Sequence, residues 1–150
     1  MPFKVLMVCL GNICRSPLAE GILAYKVDPK KIIVDSAGTA GYHIGNPPDP
    51  RSIAVARNYG IDISQQRCRK FTREDFAAFD RIYAMDRSNY SNIIRLANTE
   101  EEKNKVSLLL EASATGELEV PDPYYDADDG FEMVYHMINE ACTLIAKELQ

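Results

Sequence analysis

Strand-like and helix-like segments alternate along the 150-residue chain, which predicts an α/β domain built on an open parallel sheet with helices on both faces. Two further features support this. The strand-length runs are almost continuously apolar, as in strands covered on both sides. The C-terminal segment carries one unbroken apolar stripe at helical spacing.

The first run is Phe3–Leu10 (FKVLMVCL), ending at Gly11, and Lys31–Ala37 (KIIVDSA) repeats the pattern up to Gly38. Arg81–Met85 and Lys105–Leu110 are two more candidate strands. Helical signals lie between them. Pro17–Tyr25 follows Ser16, a capping residue before a proline. Pro50–Tyr59 is closed by Gly60, Thr72–Asp75 opens a short helix before Phe76 and Phe79, and Ser88–Ala97 follows the third strand. In the last helix, Phe131, Val134, Tyr135, Ile138, Cys142, Ile145 and Leu149 form the stripe; this places Cys142 in the core and His136 on the solvated face. Gly41–Pro50 reads as one long loop. No repeat or linker divides the chain, so residues 1–150 are expected to be one domain.

Composition narrows the function. The chain is 46% hydrophobic and 26% charged with a formal net charge of -5, and no concentrated basic face is present for nucleic acid. No apolar run approaches the roughly 18 residues of a membrane span. Met1–Leu10 lacks a signal-peptide cleavage site, and Cys9, Cys14, Cys68 and Cys142 are too sparse for a disulfide scaffold. Four reduced thiols in a cytoplasmic protein are expected, with no metal or cofactor; Asp126, Asp128, Asp129 and Gly130 lack the spacing of a calcium loop and read as a helix cap.

In open parallel sheets, ligands bind beyond the carboxyl ends of the strands. The loop after the first strand reads Cys9-Leu10-Gly11-Asn12-Ile13-Cys14-Arg15-Ser16-Pro17. A glycine-containing turn entering a helix aims backbone N–H groups and a helix dipole at an anion. It matches neither the nucleotide-binding loop nor the dinucleotide fingerprint. It has a cysteine at its entrance and an arginine six positions later. Such a setting favours the thiolate of Cys9, while the planar fork of Arg15 suits two phosphoryl oxygens. The Ser16 hydroxyl can either cap the helix or donate to the sulfur. Thiolate attack on phosphorus is the chemistry this favours.

These residues resemble the signature of the low-molecular-weight protein tyrosine phosphatases. The similarity continues through Asp35–Thr39, Pro48–Arg51, Asp75-Phe76 with Phe79-Asp80, Ala84–Asn89 and Val120–Tyr125. The resemblance implies a doubly wound, four-stranded parallel sheet in the order 2-1-3-4. It also implies hydrolysis of phosphotyrosine through a phosphocysteine, with inorganic phosphate as product and a monomeric enzyme.

An aspartate between prolines reads by itself as a turn on a stiff loop. By resemblance Asp122 becomes the general acid for the leaving phenolate and the base for water, completing a catalytic set of Cys9, Arg15 and Asp122. The cradle comprises Leu10, Gly11, Asn12, Ile13, Cys14 and Ser16. Tyr124 and Tyr125 are expected on one wall of an aromatic slot and Tyr42 and His43 on the other, with Leu10 and Ile13 completing its lining. A deep slot favours phosphotyrosine over phosphoserine.

Asn12 is expected in a left-handed conformation, tied with Ser36 into a network that fixes the cradle. The resemblance places a histidine in that network near Gln66–Arg69, where this chain has Gln66, so the network must close differently. Asp86 is a candidate to orient Arg15 or to cap the following helix. Cys14 is implied as a redox partner of Cys9. Two other readings compete: an arsenate reductase on the same scaffold, whose relay of two nearby cysteines is missing here, and a non-catalytic phosphate-binding module, which needs neither Cys9 nor Asp122.

Overall fold

Strand β1 (Phe3–Cys9) lies inside the sheet because both of its faces are apolar. Its Val5, Met7 and Cys9 enter one core, and Leu6 and Val8 the other. In the computed structural model, residues 2–113, 116–124 and 128–150 are described, except the side chains of Asp128 and Asp129. β1 pairs in parallel with β2 (Ile32–Gly38) and β3 (Arg81–Ala84), and β3 pairs with β4 (Val106–Leu108). The order is β2-β1-β3-β4, as the resemblance implies.

One face is covered by α1 (Arg15–Lys26), α2 (Pro50–Arg57) and α6 (Asp128–Leu149), which share a core with Tyr83 and Met85. The opposite face receives α3 (Asp75–Ala78) and α4 (Arg87–Ile94), with Phe71, Phe76, Phe79 and Ile93 against Ile82 and Ala84. Helix α5 (Glu100–Asn104), which the apolar periodicity does not reveal, starts at Thr99, whose hydroxyl accepts the Glu102 N–H at 3.1 Å. Its signature is the Thr99-x-x-Glu102 spacing of a helix start, with no apolar face to accompany it.

The expected elements are present with shifted ends: α1 extends beyond Pro17–Tyr25 on both sides, and α6 starts at Asp128, ahead of Phe131. The fourth strand stops at Leu108 because Leu109–Ala112 turn into a 3₁₀-helix. Cys142 is fully buried against the Ala19 carbonyl, and burial pushes its thiol up to about 12. His136 is exposed as expected but partnered: its Nε2 lies 3.1 Å from the Tyr59 hydroxyl and 3.6 Å from the Glu132 carboxylate. Among the described residues no helix is long and apolar enough to cross a membrane.

Candidate active site

The loop after β1 is held from several sides. Thr39 and Ala40 donate backbone N–H groups to the carbonyls of Cys9 and Leu10, both at 2.9 Å. Gly38 permits this approach: a Cβ there would stand 2.8 Å from the Leu10 oxygen and 3.0 Å from the Asn12 nitrogen. Asn12 has φ of 57°, the left-handed conformation expected of it. Its Nδ2 donates to Ser16 Oγ at 2.8 Å and Ser36 Oγ at 3.0 Å, while its Oδ1 accepts the Arg69 N–H at 3.0 Å.

Ser16 does not cap a helix. α1 begins earlier, at Arg15, with Cys14 as N-cap and no capping side chain. The Ser16 hydroxyl instead lies 3.0 Å from Cys9 Sγ, and Pro17 is the third helical residue. The first helical turn thus keeps its N–H groups available to an anion.

Arg15 is buried, which opposes its charge, but the Cys9 sulfur and the Asp86 carboxylate outweigh this and hold the guanidinium above the usual arginine range. Its Nη1 donates to Asp86 Oδ2 at 2.7 Å and to the Val120 carbonyl at 2.9 Å. Asp86 fills both expected roles, since its other oxygen accepts the Asn89 N–H at 2.8 Å and caps α4. The Val120 contact escapes sequence reasoning because a backbone carbonyl carries no residue signature.

Asp122 comes to this centre from a segment over a hundred positions away. Its Oδ2 is 3.6 Å from Arg15 Nη2, and its Oδ1 accepts the Tyr124 N–H at 3.0 Å. The segment is anchored by Val120 N–H to the Met85 carbonyl at 2.8 Å. Arg51 is a second anchor absent from the sequence-based set. It chelates Asp49, donates to the Tyr124 carbonyl at 2.8 Å, and lies over the Phe131 ring at 4.5 Å. Asp49 caps α2 and donates its own N–H to the Ile13 carbonyl at 2.8 Å. Burial works against the Asp49 charge, but the Arg51 hydrogen bonds more than offset it and keep the carboxyl below its usual range.

Cys9, Arg15 and Asp122 line one pocket of about 270 Å³ together with Leu10, Gly11, Ile13, Cys14, Tyr42, His43 and Tyr124. Tyr42, His43 and Tyr124, three of the four residues expected on the walls, therefore line the same pocket. His43 stands between Tyr42 and Tyr124, with ring centroids 6.3 Å and 6.4 Å away, and Tyr42 is 74% exposed at the mouth. Tyr125 and Asp126 lie outside the described residues, as do the side chains of Asp128 and Asp129. Among the described residues no cluster of three or more His, Cys, Asp or Glu forms a metal site.

Cys14 is 3% exposed; burial, then Asp49 and Cys9, push its thiol far up. Cys68 donates its thiol to the Asn12 carbonyl at 2.7 Å beneath the loop. Cys142 lies instead on α6 against Ala19, so these two thiols occupy different parts of the molecule. Gln66 does not join the Asn12 network: its Nε2 donates to the Pro17 carbonyl at 3.1 Å.

The family model of the low molecular weight phosphotyrosine protein phosphatases matches residues 4–150. The Homo sapiens low molecular weight phosphotyrosine protein phosphatase is 44% identical over 144 residues, covering 93% of this chain and 90% of its own. A protein tyrosine phosphatase from Entamoeba histolytica has a similar structure, with a TM-score of 0.92 at 36% identity over 98% of this chain and 96% of its own. Wzb of Vibrio vulnificus, solved in complex with benzylphosphonate, matches with a TM-score of 0.88 at 31% identity over 98% of this chain and 99% of its own. The likeness spans the sheet, both helical layers and every loop that reaches the Cys9 pocket: the chain belongs to the low molecular weight phosphotyrosine protein phosphatase family.

Proposed function

We propose that Cys9 is the nucleophile, Arg15 the phosphoryl-binding group and Asp122 the general acid and base by which this protein-tyrosine phosphatase hydrolyses phosphotyrosine in a protein or peptide. The observation that carries this reading is the convergence of the three side chains on one pocket, with Asp122 3.6 Å from the Arg15 guanidinium. The Cys9 thiolate attacks phosphorus while the bond to the aryl oxygen breaks, and protonated Asp122 supplies the departing phenolate with its proton. Asp122, now a carboxylate, takes a proton from water as the water oxygen attacks the phosphocysteine. The S–P bond breaks and inorganic phosphate leaves. Loop N–H groups and Arg15 stabilise the equatorial oxygens throughout.

The aromatic walls support an aryl substrate, and benzylphosphonate, which Wzb of Vibrio vulnificus holds, has the same shape. A serine phosphate is too short to reach the sulfur at the foot of such a slot. The reading is of a cytoplasmic monomer acting without metal or cofactor, supported by four free thiols and by a mechanism whose every proton and charge has a protein group. Gel filtration checks the monomer.

Cys14 is its redox partner in this reading. Peroxide converts the Cys9 thiolate to a sulfenic acid, the Cys14 sulfur attacks that sulfur, and the oxygen leaves as water with the Cys14 proton. Peptide mapping after mild peroxide is expected to find a Cys9–Cys14 link that thiols reverse; its absence would remove this part of the reading.

Hydrolysis of p-nitrophenyl phosphate in a chelator tests the mechanism. Cys9→Ser is expected to abolish turnover while phosphate still binds. Asp122→Ala is expected to slow it by roughly 10²–10⁴-fold, and less for substrates with more acidic leaving groups. A fully active Cys9→Ser variant overturns the mechanism; thiol-dependent arsenate reduction without phosphatase activity favours the reductase.

A further inference from the structure

We propose that Glu20 is a positioning residue for the phosphatase reaction: its carboxylate anchors a hydrogen-bond relay through Ser36, Asn12 and Ser16 that holds the Ser16 hydroxyl on the Cys9 sulfur. The proposal rests on the catalytic reading of Cys9 above.

The direction of the relay follows from its donors and acceptors. Ser36 Oγ lies 2.6 Å from Glu20 Oε1, and a carboxylate only accepts, so the Ser36 proton points to Glu20. The Ser36 oxygen then accepts from Asn12 Nδ2 at 3.0 Å. The Asn12 amide cannot be turned over, because its oxygen already accepts the Arg69 backbone N–H at 3.0 Å. Its nitrogen therefore also donates to Ser16 Oγ at 2.8 Å. With its oxygen occupied, Ser16 directs its own proton either to Cys9 Sγ at 3.0 Å or to the Ala37 carbonyl at 3.4 Å, and the sulfur is the shorter contact. Each hydroxyl and amide polarises the next, so a charged acceptor at the far end strengthens the whole chain. It also secures Asn12, whose left-handed backbone has a conformational cost to be met by such contacts.

The resemblance places a histidine in the network near Gln66, but Gln66 is engaged with Pro17. Glu20 and Gln66 instead line the same surface groove behind the loop. The surroundings make the anchor sensitive to protons. Burial pushes the Glu20 carboxyl up to about 7 against the pull of Ser36; Asp35 on β2 adds to the rise and Arg69 opposes it. Tyr25 on α1 and Asp62 in the segment after Gly60 also face the groove. Once protonated, Glu20 can donate as well as accept, so it no longer dictates the order of the relay.

Glu20→Gln, Ser36→Ala and the double variant test this. Three readouts are needed: Cys9 alkylation by iodoacetamide, followed by peptide mapping; the pH profile of kcat/KM on p-nitrophenyl phosphate; and thermal stability. At about pH 8, Glu20→Gln is expected to slow both alkylation and kcat/KM by about threefold to tenfold. The gap is expected to close towards about pH 5.5, where the wild-type carboxyl is itself neutral. Ser36→Ala should lose a similar factor, and the double variant no more than the worse single one, because the residues act in series. Dependence on leaving-group acidity should stay as in wild type, since Asp122 is untouched. Wild-type alkylation and kcat/KM in Glu20→Gln at about pH 8 overturns the proposal, as does a loss that is equal at both pH values or tracks only a fall in thermal stability. Cys9→Ser in the same assay separates the two readings: if it is inactive while Glu20→Gln matches wild type, only the positioning role fails.

Discussion

Glu20 and Asp49 are carboxylates of one loop system displaced in opposite directions. Glu20 rises from an ordinary 4.5 to about 7 because burial outweighs its single serine donor, whereas Asp49 is lowered because Arg51 and a helix N–H answer its charge. A carboxyl raised in the folded state contributes stability that is fully present below its unfolded value and is lost as pH rises through its folded value. Glu20 should therefore withdraw roughly 2–3 kcal/mol of stability between about pH 4.5 and 7. Asp49 acts the other way, its contribution being present at neutral pH and lost on acidification. Across the same window, the stability of Glu20→Gln relative to wild type should shift in the variant's favour by a similar amount. Denaturant titrations at the two ends of the window measure it; a pH-independent difference would show that Glu20 does not titrate there.

Individual elements each carry one member of the proposed catalytic set. β1 delivers Cys9, the first turn of α1 delivers Arg15, and the segment after Gly116 brings Asp122 to within 3.6 Å of the Arg15 guanidinium. That last delivery depends on α2, since Asp49 holds the cradle through Ile13 while its partner Arg51 holds the acid segment through the Tyr124 carbonyl. Cutting that clamp should loosen Asp122 more than the cradle. For Arg51→Ala, kcat/KM on phenyl phosphate is expected to fall by roughly tenfold, and by less than about threefold on a substrate whose leaving group needs no proton. Equal losses on both substrates would place the role of Arg51 in the cradle instead. Lysine should rescue little, because a single ammonium cannot chelate Asp49 and reach Tyr124 together.

Among the described residues, two hydrophobic cores are divided by one sheet, and the active site lies beyond the carboxyl end of β1 on the side of the larger core. Phe76, 1% exposed, fills the smaller core against Phe71 at a centroid distance of 5.3 Å. Phe76→Ala should cost about 3–5 kcal/mol and lower the melting temperature by roughly 6–15 °C, with tertiary and secondary signals lost together. Separate transitions would mean that the two cores unfold independently. Much of this design is local and therefore legible in sequence. Continuous apolar runs marked the central strands, the stripe from Phe131 to Leu149 marked the long helix and its buried Cys142, and the Cys9–Pro17 loop marked the residues that line the pocket. Resemblance, not periodicity, supplied the role of Asp122. Tertiary structure alone decided that Ser16 faces sulfur rather than capping α1, that Asp86 serves Arg15 and α4 at once, and that Arg51, Val120 and Glu20 support the site. Except for the Ser16–Cys9 contact within one loop, each of those outcomes is a contact between groups distant in sequence, or with a backbone atom; composition and period report which face a residue presents, but only the folded chain determines which partner is there to meet it.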